Sequence, residues 1–209
     1  MKAIQLKAYG QPPENIGVVE ISDIGTINHD EVIIDVLYSP VNPSDLLLMK
    51  GTYPIQPELP AVIGGEGVGR VASIGSSVST VKPGDIVTIP FGTFAWSYKV
   101  VAKAADLVVL PAANVDLQQA AMLSINPPTA VLLLEEFVSL NSGDWIVFNA
   151  ANASVSHTII AVAKSKGIRT LGIVRRKEAV DIALKAGAVK QQIPSPKFLE
   201  MKVTWFVMP

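Results

Sequence analysis

The chain of 209 residues contains no cysteine and only two histidines, His29 and His157. The lack of cysteine excludes disulfide bonds and thiolate-bound metals, and two histidines are too few for a histidine-rich zinc centre. We therefore expect any chemistry of this chain to proceed without a metal.

Long hydrophobic runs are also missing. No stretch of about 18 uninterrupted apolar residues occurs, as a membrane-spanning helix would need, and the N-terminal "MKAIQLKAYG" lacks the apolar segment of a signal peptide. These absences predict a cytosolic protein that does not interact with membranes.

Neither sign of charge dominates the chain. Seventeen basic residues face eighteen acidic ones, for a net charge of -1, and the longest basic cluster is Arg175, Arg176 and Lys177. A nucleic-acid-binding protein would need a more basic surface. Because 49% of the residues are apolar, the chain can bury a core, and small molecules are the expected ligands.

Short β-strands separated by glycine and proline are predicted for the first hundred residues. The segments 31–41 and 65–75 are rich in β-branched residues, and "KPGD" at 82–85 is a turn before the strand-like "IVTIP". This pattern is typical of a small β-barrel or sandwich, which we place at residues 1–113.

The pattern becomes helical near residue 114 and then alternates between strand and helix. We expect connecting helices over 114–140 and then a parallel sheet with right-handed crossovers, built from "WIVFNAA", "IRTLGIVRR" and the helical segments that follow each. One further short strand could lie in 191–209. The length of 141–209 allows about half of a dinucleotide-binding fold, so the fold class is α/β with a partial Rossmann domain.

The first of these helices has a clear apolar face and a clear end. Val155, Ile159, Val162 and Ala163 fall on one side of the predicted helix, and Gly167 is placed as its C-cap. The helix should therefore pack on the sheet through that side.

The turn before this helix contains no glycine. In dinucleotide-binding folds, glycines let the backbone approach the pyrophosphate, while the helix N-terminus supplies N–H groups. Here Ala153, Ser154 and Ser156 stand where glycines are expected. Serine hydroxyls can donate to phosphate, but each Cβ narrows the approach. An ordinary turn with a Ser or Asn cap explains the sequence equally well.

Arg175 and Arg176 follow the second strand. An acidic residue at this place selects an unmodified ribose, whereas arginine accommodates a 2′-phosphate. The pair therefore favours NADPH over NADH, although two solvated charges at a strand end are the alternative.

The stretch "VNPSDLLLMKGTYP" (41–54) predicts a short helix followed by a tyrosine. Asn42, Pro43 and Asp45 suit the first turn of a helix, and Gly51 ends it just before Tyr53. A tyrosine here could present its hydroxyl to a carbonyl oxygen as a proton donor. The alternative is a half-buried tyrosine that packs at a domain edge.

Taken together, these segments resemble the medium-chain dehydrogenase/reductase superfamily. The similarity runs from Met1 to about Val189 and is carried by "VNPSDLLLMKGTYP", "VIGGEGVGRVASIG" and "INPPTA", together with "SGDWIVFNAANASVSH" and "GIVRR". It implies a GroES-like catalytic domain joined to a Rossmann domain. Within the superfamily, the chain is most similar to zinc-free enoyl thioester reductases and quinone oxidoreductases.

The resemblance implies a role for several residues of the first domain. Zinc-dependent members have "GHE" where this chain has Gly64, Gly65 and Glu66, so the metal-ligand histidine is absent. Tyr53 matches the tyrosine that protonates the substrate or polarises its carbonyl. Asn42 and Asp45 match a turn near the nicotinamide.

The resemblance also implies a set of cofactor-binding residues. "INPPTA" and "FNAAN" match segments that lie near the cofactor in relatives, and Arg175 matches the arginine used for the 2′-phosphate. With the serines of the turn and the second arginine, the candidate set is Thr129, Asn149, Asn152, Ser154, Ser156, Arg175 and Arg176.

Two features depart from the family pattern. The glycine-containing turn has become "ASVSH", and family members are longer, with a second Rossmann half and C-terminal elements. Without that half, the first strand of the sheet has an uncovered edge. The chain is then a shortened member with altered function, a homodimer that covers this edge, or a piece of a longer enzyme.

Two classes of function follow. The first is NADPH-dependent reduction of an activated carbon–carbon double bond in a 2-enoyl thioester, with a quinone as the alternative acceptor. The second is a non-catalytic remnant that binds a ligand or a partner chain.

Overall fold

The computed structural model describes residues 1–111, 113, 115–176, 178–188 and 190–192, with only the backbone of 190–192. The chain forms two compact units, Met1–Ile125 and a second that begins at Asn126. The end of the chain, including "VTWFVMP" and most of the stretch expected to hold a further strand, lies outside the described residues.

The described part of the first unit consists mainly of antiparallel β-structure, as its sequence predicts. The strands pair in the orders β2-β1-β4 and β6-β5-β3-β7. The elements are β1 (Lys2–Leu6), β2 (Ile16–Glu20), β3 (Glu31–Tyr38), α1 (Pro43–Lys50), β4 (Ala61–Val62), β5 (Gly67–Ile74), β6 (Ile86–Ile89), β7 (Lys99–Lys103), a 3-10 turn (Ala104–Asp106) and α2 (Leu117–Ala120).

Alternation of side chains along the strands builds the core of this unit. Val32 and Ile34 on β3 are fully buried, as are Val87 and Ile89 on β6. Each such side chain contributes about 1.5–3 kcal/mol by leaving water. The GroES-like half of the expected fold is thereby observed.

Helix α1 begins and ends where local rules place it. Asn42 is the N-cap in extended conformation, Pro43 occupies the first turn, and the helix stops at Gly51. Its buried side carries Leu48 and Met49, which pack in a second apolar cluster.

The described part of the second unit is a βαβαβ arrangement. It contains α3 (Asn126–Glu135), β8 (Trp145–Phe148), α4 (Ser154–Ser165), β9 (Arg169–Ile173), α5 (Glu178–Lys185) and β10 (Lys190–Gln192). The strands are parallel in the order β10-β9-β8. This is the partial Rossmann sheet that the sequence predicts, and β10 supplies its third strand.

Helix α4 packs through the face that its sequence predicts. Ile159 and Ala163 are buried, and Val155 and Val162 lie beside them in the cluster that α4 shares with α3. Gly167 follows the helix with φ of 72°, and the N–H of Ile168 donates to the carbonyl of Ala163. The expected glycine cap is confirmed.

In the described part of the chain, no helix combines the length and the apolar character needed to cross a membrane.

Candidate functional site

The N-terminus of α1 holds two of the predicted site residues, Asn42 and Asp45. The Asp45 carboxylate accepts hydrogen bonds from the backbone N–H of Asn42 at 2.7 Å and from that of Gly65 at 3.0 Å. The Asn42 carboxamide instead turns to Glu66, and its Nδ2 donates to Glu66 Oε1 at 3.0 Å. The structure therefore brings Asn42 and Asp45 together and adds Glu66 to them.

Glu66 connects three segments of the first unit. Its side chain is fully buried, and its Oε2 accepts the backbone N–H of Ile125 at 3.0 Å. The loop before β5, the turn before α1 and the end of the unit thus meet at one carboxylate. Sequence reasoning noted this residue only as part of "GGE". The sequence offered one signal for a functional role of Glu66: it is an acidic residue flanked by two glycines, at the start of a strongly apolar strand.

Burial changes the acidity of both carboxyl groups. Burial raises the pKa of Glu66, and hydrogen bonds from Asn42, Ile125 and Ser124 partly offset this, while the nearby charge of Asp45 raises the pKa further. Burial likewise raises the pKa of Asp45, against hydrogen bonds from Asn42 and Gly65. In both carboxyl groups, the hydrogen bonds therefore offset only part of the rise in pKa that burial causes.

Tyr53 lies just beyond α1 and is half-buried. Its ring packs on the cluster formed by Leu6, Leu48, Met49 and Ile63. Among the residues that the structure describes, none accepts a hydrogen bond from its hydroxyl. A tyrosine held by its ring in this way can present its hydroxyl to a ligand.

The loop after β8 carries three of the predicted cofactor-binding residues. Asn149 is exposed, Asn152 is half-buried, and Ser154 is exposed at the first position of α4. The N-cap of this helix is Ala153, which has no side chain able to cap. The N–H groups of the first turn therefore have no cap from that side chain.

Ser156 has a different environment from Ser154. It is 2% exposed, and its hydroxyl donates to the carbonyl of Ala150 at 3.0 Å. Its single hydroxyl proton is used to close the loop. Ala150 itself has φ of 49°, a conformation that favours glycine. The backbone thus follows a glycine-like path without a glycine.

Arg175 and Arg176 lie at the same end of the sheet as this loop. Both are exposed and follow β9, the neighbour of β8 in the sheet, after Val174. The N–H of Ala151 donates to the carbonyl of Ile173 at 3.2 Å, which fixes the loop against the end of β9. The structure thereby brings the loop and both arginines to the C-terminal end of the parallel strands.

Thr129 lies on α3 and is half-buried. Helix α3 packs on α4 through Ala130 and Leu134. Thr129 is therefore held on an element that contacts the helix following the loop.

An apolar cavity of about 740 Å³ also lies in the first unit. Its lining includes Val41 and Leu46 but none of Asn42, Asp45 or Tyr53, so it is distinct from the candidate site. Within the described residues, no group of three or more histidine, cysteine, aspartate or glutamate side chains is arranged to hold a metal ion.

Comparison with known proteins agrees with this arrangement. Residues 28–113 match the alcohol dehydrogenase GroES-like domain. Over 174 residues, the chain is 39% identical to the mitochondrial enoyl-[acyl-carrier-protein] reductase of Xenopus tropicalis, covering 81% of this chain and 49% of that protein. These matches show that the chain resembles the medium-chain dehydrogenase/reductase superfamily. Within it, the chain is similar to the branch of enoyl reductases and quinone oxidoreductases.

Solved structures of this superfamily share the fold. The Escherichia coli quinone oxidoreductase complexed with NADPH has a TM-score of 0.83 at 28% identity, over 91% of this chain and 58% of that one. The complex of Candida tropicalis Etr1p with NADP and crotonyl-CoA has a TM-score of 0.77 at 27% identity, over 91% and 59%. The chain spans about half the length of the curated relatives that it matches.

Proposed function

We propose that the chain takes part in NADPH-dependent reduction of a 2-enoyl thioester. The observation that carries this proposal is the C-terminal end of the parallel sheet, where the loop 149–153 is bonded to the end of β9, two residues before Arg175. This is the place at which the fold class receives a dinucleotide, and arginine there suits a 2′-phosphate. The similarity to enoyl-[acyl-carrier-protein] reductases supports the choice of substrate.

The loop fits such a cofactor although it lacks glycine. Ala150 gives the loop a left-handed turn, and Ser156, at one of the positions where glycine is expected, closes the loop from inside. The first turn of α4 then presents its amides and the exposed Ser154 to a phosphate. We assign Asn149, Asn152, Ser154, Arg175 and Arg176 to direct contact.

The two remaining candidates of the second unit have other roles. We assign Ser156 to support of the loop, because its hydroxyl is already used. Thr129 stays a candidate for contact with the cofactor, held by helix α3.

The cofactor, when bound, supplies the hydride that adds to the β-carbon of the substrate. Negative charge then develops on the carbonyl oxygen as an enolate. We propose that the Tyr53 hydroxyl donates a hydrogen bond to this oxygen, and that the α-carbon then takes a proton from water, which with the hydride gives the saturated thioester. Asn42 and Asp45 shape the turn beside it, since their hydrogen bonds fix the start of α1.

The test is an assay of NADPH oxidation with crotonyl-CoA as the acceptor, in which the loss of NADPH absorbance measures the rate. Removing one donor to a developing oxyanion costs about 10²–10³-fold in kcat, so we expect Tyr53→Phe to lose about that factor. Tyr98→Phe, at an exposed tyrosine of the same unit, should keep the parental rate. Equal rates for the parent and Tyr53→Phe would exclude this role for Tyr53.

Two other functions remain candidates, each for a stated reason. A quinone acceptor is favoured by the similarity to the E. coli quinone oxidoreductase and predicts faster NADPH oxidation with a quinone than with crotonyl-CoA. A non-catalytic remnant is favoured by the lack of glycine in the turn before α4 and predicts no saturable heat when NADPH is titrated by calorimetry.

We also propose a homodimer in the cytosol. The β8 edge, which has β9 as its only partner among the described residues, supports the dimer, since unpaired strand edges recruit further strands.

The curated relatives are named as mitochondrial proteins, so microscopy of the tagged protein decides the compartment.

A further inference from the structure

The buried carboxylate of Glu66 is shared between a proposed site residue and the backbone. Asn42 Nδ2 lies 3.0 Å from Oε1, and the N–H of Ile125 lies 3.0 Å from Oε2. Both oxygens therefore face donors, which is the arrangement that suits an ionised carboxylate. A protonated Glu66 would turn an O–H toward one of these donors and lose that hydrogen bond.

We infer that Glu66 is a positioning residue for the reaction: its buried carboxylate fixes the carboxamide of Asn42 and the peptide of Ile125, and its ionisation decides whether Asn42 is held for catalysis. This inference rests on the proposed function for its catalytic consequence. The hydrogen bonds themselves are independent of the reaction.

Few other charges act on this carboxylate. Among the described residues, Asp45 is the one ionisable group whose charge acts on Glu66, and the remaining contacts are donors from Asn42, Ser124 and Ile125. Asp45 binds the backbone N–H of Asn42 rather than its carboxamide. The two carboxylates thus hold different atoms of the same residue, and their effects on Asn42 can be separated.

The effects of pH on stability and on activity should have opposite signs. Burial raises the pKa of Glu66 above the ordinary value of 4.5, so the folded state keeps this proton up to a higher pH than the unfolded state does. The corresponding stability is fully present below 4.5 and is lost as the pH rises through the raised pKa. Acidification from neutral pH should therefore stabilise the fold through this group while releasing Asn42 and slowing the reaction.

The first test follows the side-chain amide resonance of Asn42 by NMR during an acid titration of the full chain. We expect the resonance to move with a midpoint above 4.5, and the movement should become much smaller in Glu66→Gln, where Asp45 alone still titrates beside Asn42. Asp85→Asn is the control, since Asp85 accepts a backbone N–H in the same unit but far along the sequence. An Asn42 resonance that ignores pH, or that titrates in Glu66→Gln as it does in the parent, overturns the inference.

The second test is kinetic. We expect Glu66→Gln to lower kcat about tenfold with little change in KM and to remove the acid limb of the pH profile. Glu66→Asp, which keeps the charge, should recover part of the rate. In an Asn42→Ala background, Glu66→Gln should have little further effect, because the two residues act as one unit. Additive losses would show a merely structural role.

The two proposals fail separately. If the parent protein does not reduce crotonyl-CoA, the proposed function falls and the NMR titration alone decides the coupling of Glu66 to Asn42. If turnover depends on Tyr53 but the Asn42 resonance is indifferent to Glu66, the reductase stands and the positioning role falls.

Discussion

Ala150 is the residue of the glycine-poor loop whose backbone conformation is strained. Its φ of 49° places an alanine in the left-handed region, which costs a side-chain-bearing residue about 1–2 kcal/mol. The loop accepts this cost because neighbouring contacts hold it, among them the hydrogen bond from Ser156 to the Ala150 carbonyl. Alanine can therefore occupy a position that favours glycine, at the expense of stability.

Ala150→Gly should stabilise the second unit. Relief of the left-handed strain is partly offset by the greater chain entropy of glycine, about 0.5–1 kcal/mol, so we expect a net gain of about 0.5–1 kcal/mol. Hydrogen exchange measures this gain in stability: the backbone amides of a peptide covering 145–160 should exchange more slowly in the variant than in the parent.

Ala161→Gly is the matched control. Ala161 is exposed in the middle of α4, where glycine should cost about 1 kcal/mol. If both variants destabilise the unit equally, the strain at Ala150 is not real.

Asn42 shows how far local reasoning reaches at the scale of one residue. Its place before a proline and three residues before an aspartate predicts a helix N-cap, and the structure confirms it. That its carboxamide turns to Glu66 could not be predicted, since the two residues are 24 positions apart and meet only through the fold.

At the scale of secondary-structure elements, β9 depends on one glycine for its contact with the loop. A Cβ built on Gly172 would lie 2.5 Å from the Cβ of Ala151, a fully buried residue of the loop after β8. Glycine here lets the strand and the loop approach closely. Arg175 follows three residues later, beyond the end of the same strand.

Gly172→Ala should therefore destabilise the packing of β9 against the loop after β8, where we propose that the cofactor binds. Overpacking of this kind costs about 1–3 kcal/mol, and NADPH affinity should fall with it. Adding Ala151→Gly removes the clashing carbon and should restore much of the stability. Urea denaturation and NADPH titration give the two readouts.

Gly10→Ala controls for the added methyl group, because a Cβ at Gly10 meets nothing within 4 Å. Its effect should stay within about 0.5 kcal/mol. A Gly172→Ala variant as stable as Gly10→Ala would contradict the packing that we describe.

At the scale of the whole molecule, the β8 edge is the surface through which we propose that two copies pair. Sedimentation at micromolar concentrations should show a dimer of the 209-residue chain, if two copies pair through this edge. Trp145 starts β8 and is 46% exposed, so Trp145→Lys should place a charge on the edge and shift the chain to monomer.

Leu123→Lys is the comparison, at an exposed apolar residue of the first unit. A lysine there should leave the dimer intact. A chain that is monomeric at every concentration would rule out the dimer.

Much of this molecule followed from short-range pattern. The β-branched residues of 31–41 predict a strand, the spacing of Ile159 and Ala163 predicts the buried face of α4, and Gly167 predicts its end; all are confirmed. These features depend on periodicity and local sterics, which a sequence displays directly.

Only the tertiary structure decided which side chains share a hydrogen bond or a surface. The sequence alone indicated the family resemblance, the two kinds of domain and the position of the βα loop. It did not reveal that Ser156 closes that loop from inside, nor that Glu66 joins Asn42 to Ile125. The physical reason is that burial and partnership arise between residues far apart in the chain, where no periodicity records them.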